Sequence, residues 1–226
     1  MSEDRAIIGM IDHAVLAPDS TRDDVLAACE LAEELNVAGV CVHPRWVAVA
    51  AEALAGSRVA TGTVAGFPLG ANTSETKALE ARQAIVHGAD EIDMVMAITA
   101  LKSGDRAAVL DDIAAVVGAA YAAAAEQPVV KVILEMCYLT EDEKRVAAEL
   151  AVDAGADFLK TSTGLGPSGA TVEDVALLRE IAPSRVGVKA AGGIRTLDQA
   201  RAMVAAGASR IGTSATRAIA EALGVR

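Results

Sequence analysis

The stretches HGADEIDMV (87–95), AGADFLKTS (154–162) and AGASRIGTS (206–214) repeat one joint: a helical pattern closes on glycine, a small residue follows, and an apolar strand begins. A looser copy is LNVAGVCVHP (35–44). Gly88, Gly155 and Gly207 stand where a helix C-terminus favours a left-handed residue, a conformation that glycine adopts without a Cβ penalty. Such short helix-to-strand joints are usual in α/β units.

Working outward, amphipathic segments cover 21–35, 74–86, 105–125, 140–154, 171–181 and 196–206. Thr21, Thr140 and Thr171 are each followed three residues later by an acid (Asp24, Glu143, Asp174), the pattern of a capping box. Thr73 and Ser74 also read as caps, and Glu141, Asp142 and Glu143 as a solvated first helical turn. Apolar runs alternate with these helices at 7–12, 39–43, 59–64, 91–96, 129–135, 157–161, 185–190 and 210–214. Strand–helix alternation implies a parallel sheet. Eight strands without a linker or a break in composition predict an α/β fold of the (β/α)8 TIM-barrel class, one domain over 1–226. The strand-to-helix joints are longer and rich in Gly, Ser, Thr and Pro, as in AGFPLGANTS, KTSTGLGPSGAT and KAAGGIRT. Barrels build their active sites from these joints.

Composition narrows the function. A formal charge of -11 argues against nucleic acid and against an anionic membrane surface as partners. A phosphorylated small molecule stays compatible, because a local site can oppose the global field. Cys29, Cys41 and Cys137 form no CxxC pair and no even framework, which points to a reduced, cytoplasmic setting. The longest apolar stretch, 113–125, falls short of the roughly 20 residues a spanning helix needs. MSEDRAIIGM carries early acids and no long apolar core, so no signal peptide is expected.

Strands of a covered parallel sheet should be apolar throughout, and several here are not. In VKVILE (130–135), period two separates Val130, Val132 and Leu134 from Lys131, Ile133 and Glu135. The apolar set should meet the helices, leaving Lys131 and Glu135 in the lumen. The same test places Asp93, Lys189, Cys41, Gly212 and Ser214 inside, with Lys160 on the face of Phe158. One such lysine reads as a strand end reaching solvent. A lumen holding Asp93, Lys131, Glu135, Lys160 and Lys189 does not, because buried ions cost several kcal/mol each unless paired. Lys160 and Lys189 lie one βα repeat apart, so they should stand side by side at one end of the barrel. Burial and mutual repulsion should lower both ammonium pKa values, giving a free amine able to attack a carbonyl near neutral pH. Gly164, Gly192, Gly193, Gly212 and Ser214 fall on the last three units, the usual barrel position for a phosphate held by backbone N–H groups. Cys41 and His43 lack third and fourth ligands, so no metal site is expected. His13 and His87 read as a hydrogen-bonded core histidine and a helix end.

KTSTG (160–164), VKAAGGIR (188–195), GADEIDMV (88–95), KVILE (131–135), GFPLGAN (66–72) and IDH (11–13) together resemble the deoxyribose-phosphate aldolases. The motifs span nearly the whole chain in the family's order. The resemblance implies a class I, cofactor-free aldolase on a TIM barrel that cleaves 2-deoxy-D-ribose 5-phosphate to glyceraldehyde 3-phosphate and acetaldehyde. It assigns the Schiff base to Lys160, with Lys189 and Asp93 as catalytic partners. It assigns substrate binding to Asp12, Lys131, Gly164, Gly192, Gly193, Gly212 and Ser214. The partners it implies are a small phosphorylated sugar, short aldehydes and further copies of the chain, as a homodimer or larger homo-oligomer. Leu165, where some members carry lysine, and Met136 and Ala97 depart from the pattern and bear on substrate preference. Rival readings are another Schiff-base TIM-barrel aldolase with a different phosphosugar, a phosphosugar isomerase or epimerase, and a catalytically dead phosphosugar-binding protein.

Overall fold

A left-handed residue followed three positions later by a strand recurs four times. Asn36 (φ 55°), Gly88 (φ 99°), Gly155 (φ 91°) and Gly207 (φ 110°) precede strands that begin at Gly39, Glu91, Phe158 and Arg210. The turn that ends each helix therefore also sets the register of the next strand. The computed structural model describes residues 3–225. In chain order it runs α1 (Glu3–Ile8), β1 (Ile11–Val15), α2 (Arg22–Leu35), β2 (Gly39–Val42), α3 (Val47–Ala53) and β3 (Ala60–Ala65). Next come α4 (Ser74–Val86), β4 (Glu91–Val95), α5 (Ile98–Lys102), α6 (Arg106–Ala123) and β5 (Val129–Ile133). The last part is α7 (Glu141–Asp153), β6 (Phe158–Lys160), α8 (Val172–Ile181), β7 (Gly187–Ala191), α9 (Leu197–Ala205), β8 (Arg210–Thr213) and α10 (Thr216–Ala222). All eight strands pair in parallel in sequence order, and β8 closes on β1. This is the predicted (β/α)8 barrel.

Two expectations at the ends of strands change. The run at 7–12 is not one strand: Ile7 and Ile8 belong to α1 and enter the core from there, and β1 starts at Ile11. An adjacent apolar pair fits either element, so periodicity alone does not separate them. The run at 129–135 ends as a strand at Ile133, and Glu135 has φ 51°. Its side chain leaves the lumen face and turns to the loop after β6.

Capping follows sequence closely. Thr21 and Thr140 close reciprocal boxes with Asp24 and Glu143, and Thr196 does so with Gln199. Thr171 accepts from Asp174 N, but the Asp174 carboxylate pairs with Lys144 at 2.7 Å instead of returning to the cap. The outward strand faces are apolar as expected: Val40, Ile92, Met94, Val130, Val132, Leu159, Val188 and Ile211 are sealed between sheet and helices. No helix among the described residues is long and apolar enough to cross a membrane.

Candidate active site

Period-two alternation on β4 to β8 carries charged side chains into the lumen, and the register brings them together. Asp93 is opposite Lys131, and Lys160 is opposite Lys189. The Lys160 ammonium donates to Asp93 Oδ2 at 2.6 Å. Lys189 donates to the same oxygen at 2.7 Å and to Asp12 Oδ2 at 2.5 Å. Lys131 donates to Asp93 Oδ1 at 2.8 Å and to Glu91 at 2.5 Å. Asp93 is fully buried and serves three lysines at once.

Two members of this cluster, Glu91 and Arg210, are not singled out by the sequence. Arg210 donates to Asp12 Oδ1 at 2.6 Å and to both Glu91 oxygens at 3.2 Å. Glu91 shares the parity of Asp93, and Arg210 that of Gly212, so strict alternation carried to the strand ends would find them.

The surroundings shift the proton affinities of these lysines in different directions. Burial is the largest influence on Lys160 and pushes its ammonium below the ordinary lysine range; Asp93 opposes this and Lys189 reinforces it. Burial also pulls Lys189 down, but the Asp12 and Asp93 carboxylates outweigh it, so Lys189 is held above its ordinary value. The expectation that both amines are depressed thus holds for Lys160 alone. Lys131 behaves like Lys189: burial is overcome by Asp93, Asp12 and Glu91. For Asp93, burial is overcome by the three lysines, which keep it ionised well below the carboxylate range. Burial pushes the Cys41 thiol up to about 11, so it stays neutral beside the lysines.

Above this cluster a cleft of about 320 Å³ opens at the C-terminal end of the strands. Lys160 and Lys189 reach it, as do Asp12, Cys41 and Phe67. Gly164, Gly192, Gly193, Gly212 and Ser214, the predicted phosphate loops, also line it, with Arg195 among them. Asp93 and Lys131 lie beneath and do not line the cleft; Lys131 reaches it through Asp93 and, at 3.7 Å, through Asp12.

The loops after β6 and β7 are locked together. Ala170 N donates to the Ala191 and Gly192 carbonyls, and Thr161 exchanges hydrogen bonds with Ala191. Gly192 has φ 90°, and a Cβ there would stand 3.0 Å from Gly169 Cα and 3.1 Å from Gly164 Cα, tight enough that the neighbouring loop must shift. Glu135 fixes the KTSTG loop by accepting from Thr163 N at 3.2 Å and from the Thr163 hydroxyl. Leu165 is exposed at the cleft rim, Met136 is buried in the turn after β5, and Ala97 caps α5. His13 is hydrogen-bonded as expected, to Thr216 Oγ1 at 2.8 Å, but is only half-buried and not part of the core.

Residues 6–222 match the model of the DeoC/LacD family aldolases. The chain is 54% identical over 213 residues to the deoxyribose-phosphate aldolase of Bacillus mycoides, covering 94% of each protein. Among solved structures, a protein described as QR15, an aldolase, superimposes with TM-score 0.90 at 38% identity, covering 99% of this chain and 96% of its own. The tetrameric deoxyribose phosphate aldolase of Aeropyrum pernix matches with TM-score 0.90 at 31% identity, covering 99% of this chain and 93% of its own.

Proposed function

This chain belongs to the DeoC/LacD family of aldolases, with the deoxyribose-phosphate aldolases as its similar relatives, and we propose that it cleaves 2-deoxy-D-ribose 5-phosphate reversibly through an imine on Lys160. The observation that carries this reading is a lysine amine, depressed by burial, at the foot of a cleft that glycine loops also line.

In the proposed reaction the Lys160 lone pair attacks C1 of the open-chain sugar. The carbinolamine hydroxyl takes a proton from the Lys189 ammonium and leaves as water, giving an iminium. The C2–C3 bond pair then flows into the iminium to form an enamine. The C3 hydroxyl proton passes by way of water to the Lys189–Asp93 pair, and D-glyceraldehyde 3-phosphate departs. Protonation of the enamine at C2 and hydrolysis release acetaldehyde and restore Lys160. Asp93 itself is a weak base here, since three ammonium groups hold it ionised; its role is to fix Lys160 and Lys189. The glycine loops and Ser214 would hold the phosphate through backbone and hydroxyl donors.

No cofactor is assigned, because the iminium itself serves as electron sink. The enzyme would act in the cytoplasm on deoxyribose phosphate from deoxyribonucleotide breakdown, as a homodimer or larger assembly. Incubation with 2-deoxyribose 5-phosphate should give equal amounts of glyceraldehyde 3-phosphate and acetaldehyde, with or without EDTA. Pyruvate or a transferred three-carbon unit would identify another Schiff-base aldolase. An isomerised sugar with no cleavage would identify an isomerase.

A further inference from the structure

The lumen charges form a closed ring in which sign alternates. Arg210 binds Asp12, Asp12 binds Lys189, Lys189 binds Asp93, Asp93 binds Lys131, Lys131 binds Glu91, and Glu91 returns to Arg210. Lys131 also braces the ring across its middle, 3.7 Å from Asp12. Three cations and three carboxylates therefore satisfy one another. Lys160 hangs from this ring at Asp93 Oδ2, an oxygen that Lys189 already occupies.

We propose that Arg210 and Glu91 are positioning residues that complete this ring and so leave Lys160, among the described residues, as the one lumen cation without a carboxylate of its own. Neither lines the cleft. Glu91 is the first residue of β4 and Arg210 the first of β8, at the floor of the barrel. The guanidinium is further fixed over the Phe158 ring, 5.4 Å from its centroid. Both act on Lys160 through Asp93, by two routes: Arg210 through Asp12 and Lys189, Glu91 through Lys131.

The sign of each effect follows from charge. Without Arg210, three carboxylates face two ring cations, and Lys160 becomes the third: its ammonium is stabilised. Without Glu91, two carboxylates face three ring cations, and the Lys160 ammonium is disfavoured further. The other ionisable groups acting on Lys160 are Cys41 on β2, Asp93 on β4 and Lys189 on β7, with Asp12 on β1 and Lys131 on β5 behind them as partners of Lys189 and Asp93; β3 supplies none. Cys41 stays a neutral thiol, so the balance rests on the ring.

This inference rests on the imine reading only for its consequence in catalysis, and its test needs no substrate. Competitive acetylation of lysines with trace acetic anhydride across pH, read by peptide mass spectrometry, titrates the Lys160 amine in the full-length protein. Arg210→Gln should move the Lys160 titration up, and Glu91→Gln should move it down, each by roughly one pH unit. The double variant, which removes the pair at constant charge, should return it to within roughly 0.3 unit of the parent. The acidic limb of kcat/KM should follow the same three positions. Shifts in one direction for both single variants, or a titration that stays put, would overturn the proposal. Where a single variant does not fold, the double variant decides: a Lys160 titration displaced by a full unit at constant charge contradicts the ring account. Opposite shifts without any trapped imine would instead overturn the catalytic reading and leave the ring standing.

Discussion

Lys77 and Lys160 are both buried lysines hydrogen-bonded to a carboxylate, and burial lowers the proton affinity of both. They differ in what surrounds the amine. Lys77, on α4, has Asp112 to itself at 2.7 Å and the Val95 carbonyl at 2.9 Å; Asp112 is in turn held by the Ser74 hydroxyl. It is sealed between α4, α6 and the end of β4. Lys160 shares Asp93 with two other lysines and opens on a cleft. A depressed amine is thus no mark of a catalyst by itself. Shared partners and access to a substrate-sized space set Lys160, the proposed nucleophile, apart from Lys77.

Substituting the two lysines alike gives the largest effect. Lys160→Met should reduce aldol cleavage on the order of 10⁴-fold while the protein stays folded, since the proposed nucleophile has no substitute. Lys77→Met should keep kcat within a few-fold but strand Asp112 as an unpaired buried charge, at about 3–5 kcal/mol. A fall in melting temperature of roughly 10 °C would accompany that loss. Steady-state kinetics and thermal unfolding of both variants check the contrast; equal losses of activity would erase it.

Lys189 sharpens the point about shared partners. Lys189→Leu removes a like charge and releases Asp93, so the Lys160 ammonium is favoured. The acidic limb of the kcat/KM profile should therefore rise, by roughly one pH unit or less, because burial is the larger influence on Lys160. Lys189→Arg keeps the charge and should leave the limb in place. Both should lower kcat about 10²-fold or more through lost proton transfer. A limb that stays put in Lys189→Leu would assign the reactivity of Lys160 to burial alone.

The cleft walls give smaller effects. Gly192→Ala places a Cβ against Gly164 and Gly169 at a left-handed φ, so the loops after β6 and β7, the proposed phosphate site, must shift apart. KM for the phosphorylated sugar should rise roughly tenfold, about 1.4 kcal/mol, with little change for unphosphorylated aldehydes. Equal losses on both would place the phosphate elsewhere. Leu165→Lys adds a solvated cation at the rim, and should lower that KM only two- to threefold, roughly, and only at low salt. An effect that persists in high salt would mean a direct contact.

Much of the barrel and its lumen is legible in the amino-acid sequence. Glycine joints reveal the repeat, and period two puts Asp93, Lys131, Lys160 and Lys189 in the lumen, because an ion inside an otherwise apolar run has few bland explanations. Asp12 is reached only through the family resemblance: it sits in a short strand whose start the apolar pattern misplaces. Glu91 and Arg210 escape the pattern because each is the first residue of its strand, where a charge ordinarily reads as solvated. Glu135 is misplaced because a positive φ in a non-glycine residue leaves no trace in a hydrophobic pattern. The protonation of Lys189 is also hidden at the level of sequence. It depends on two carboxylates from β1 and β4, which are brought together only when the barrel closes.

An imine on Lys160 can be trapped by reducing the protein with sodium borohydride in the presence of acetaldehyde and mapping the peptides by mass spectrometry. N-ethyl-lysine should form at Lys160, cleavage activity should fall in proportion to its formation, and Lys77, Lys131 and Lys189 should stay unmodified. Modification at another lysine with Lys160 untouched, or full activity after reduction, would contradict the imine on Lys160.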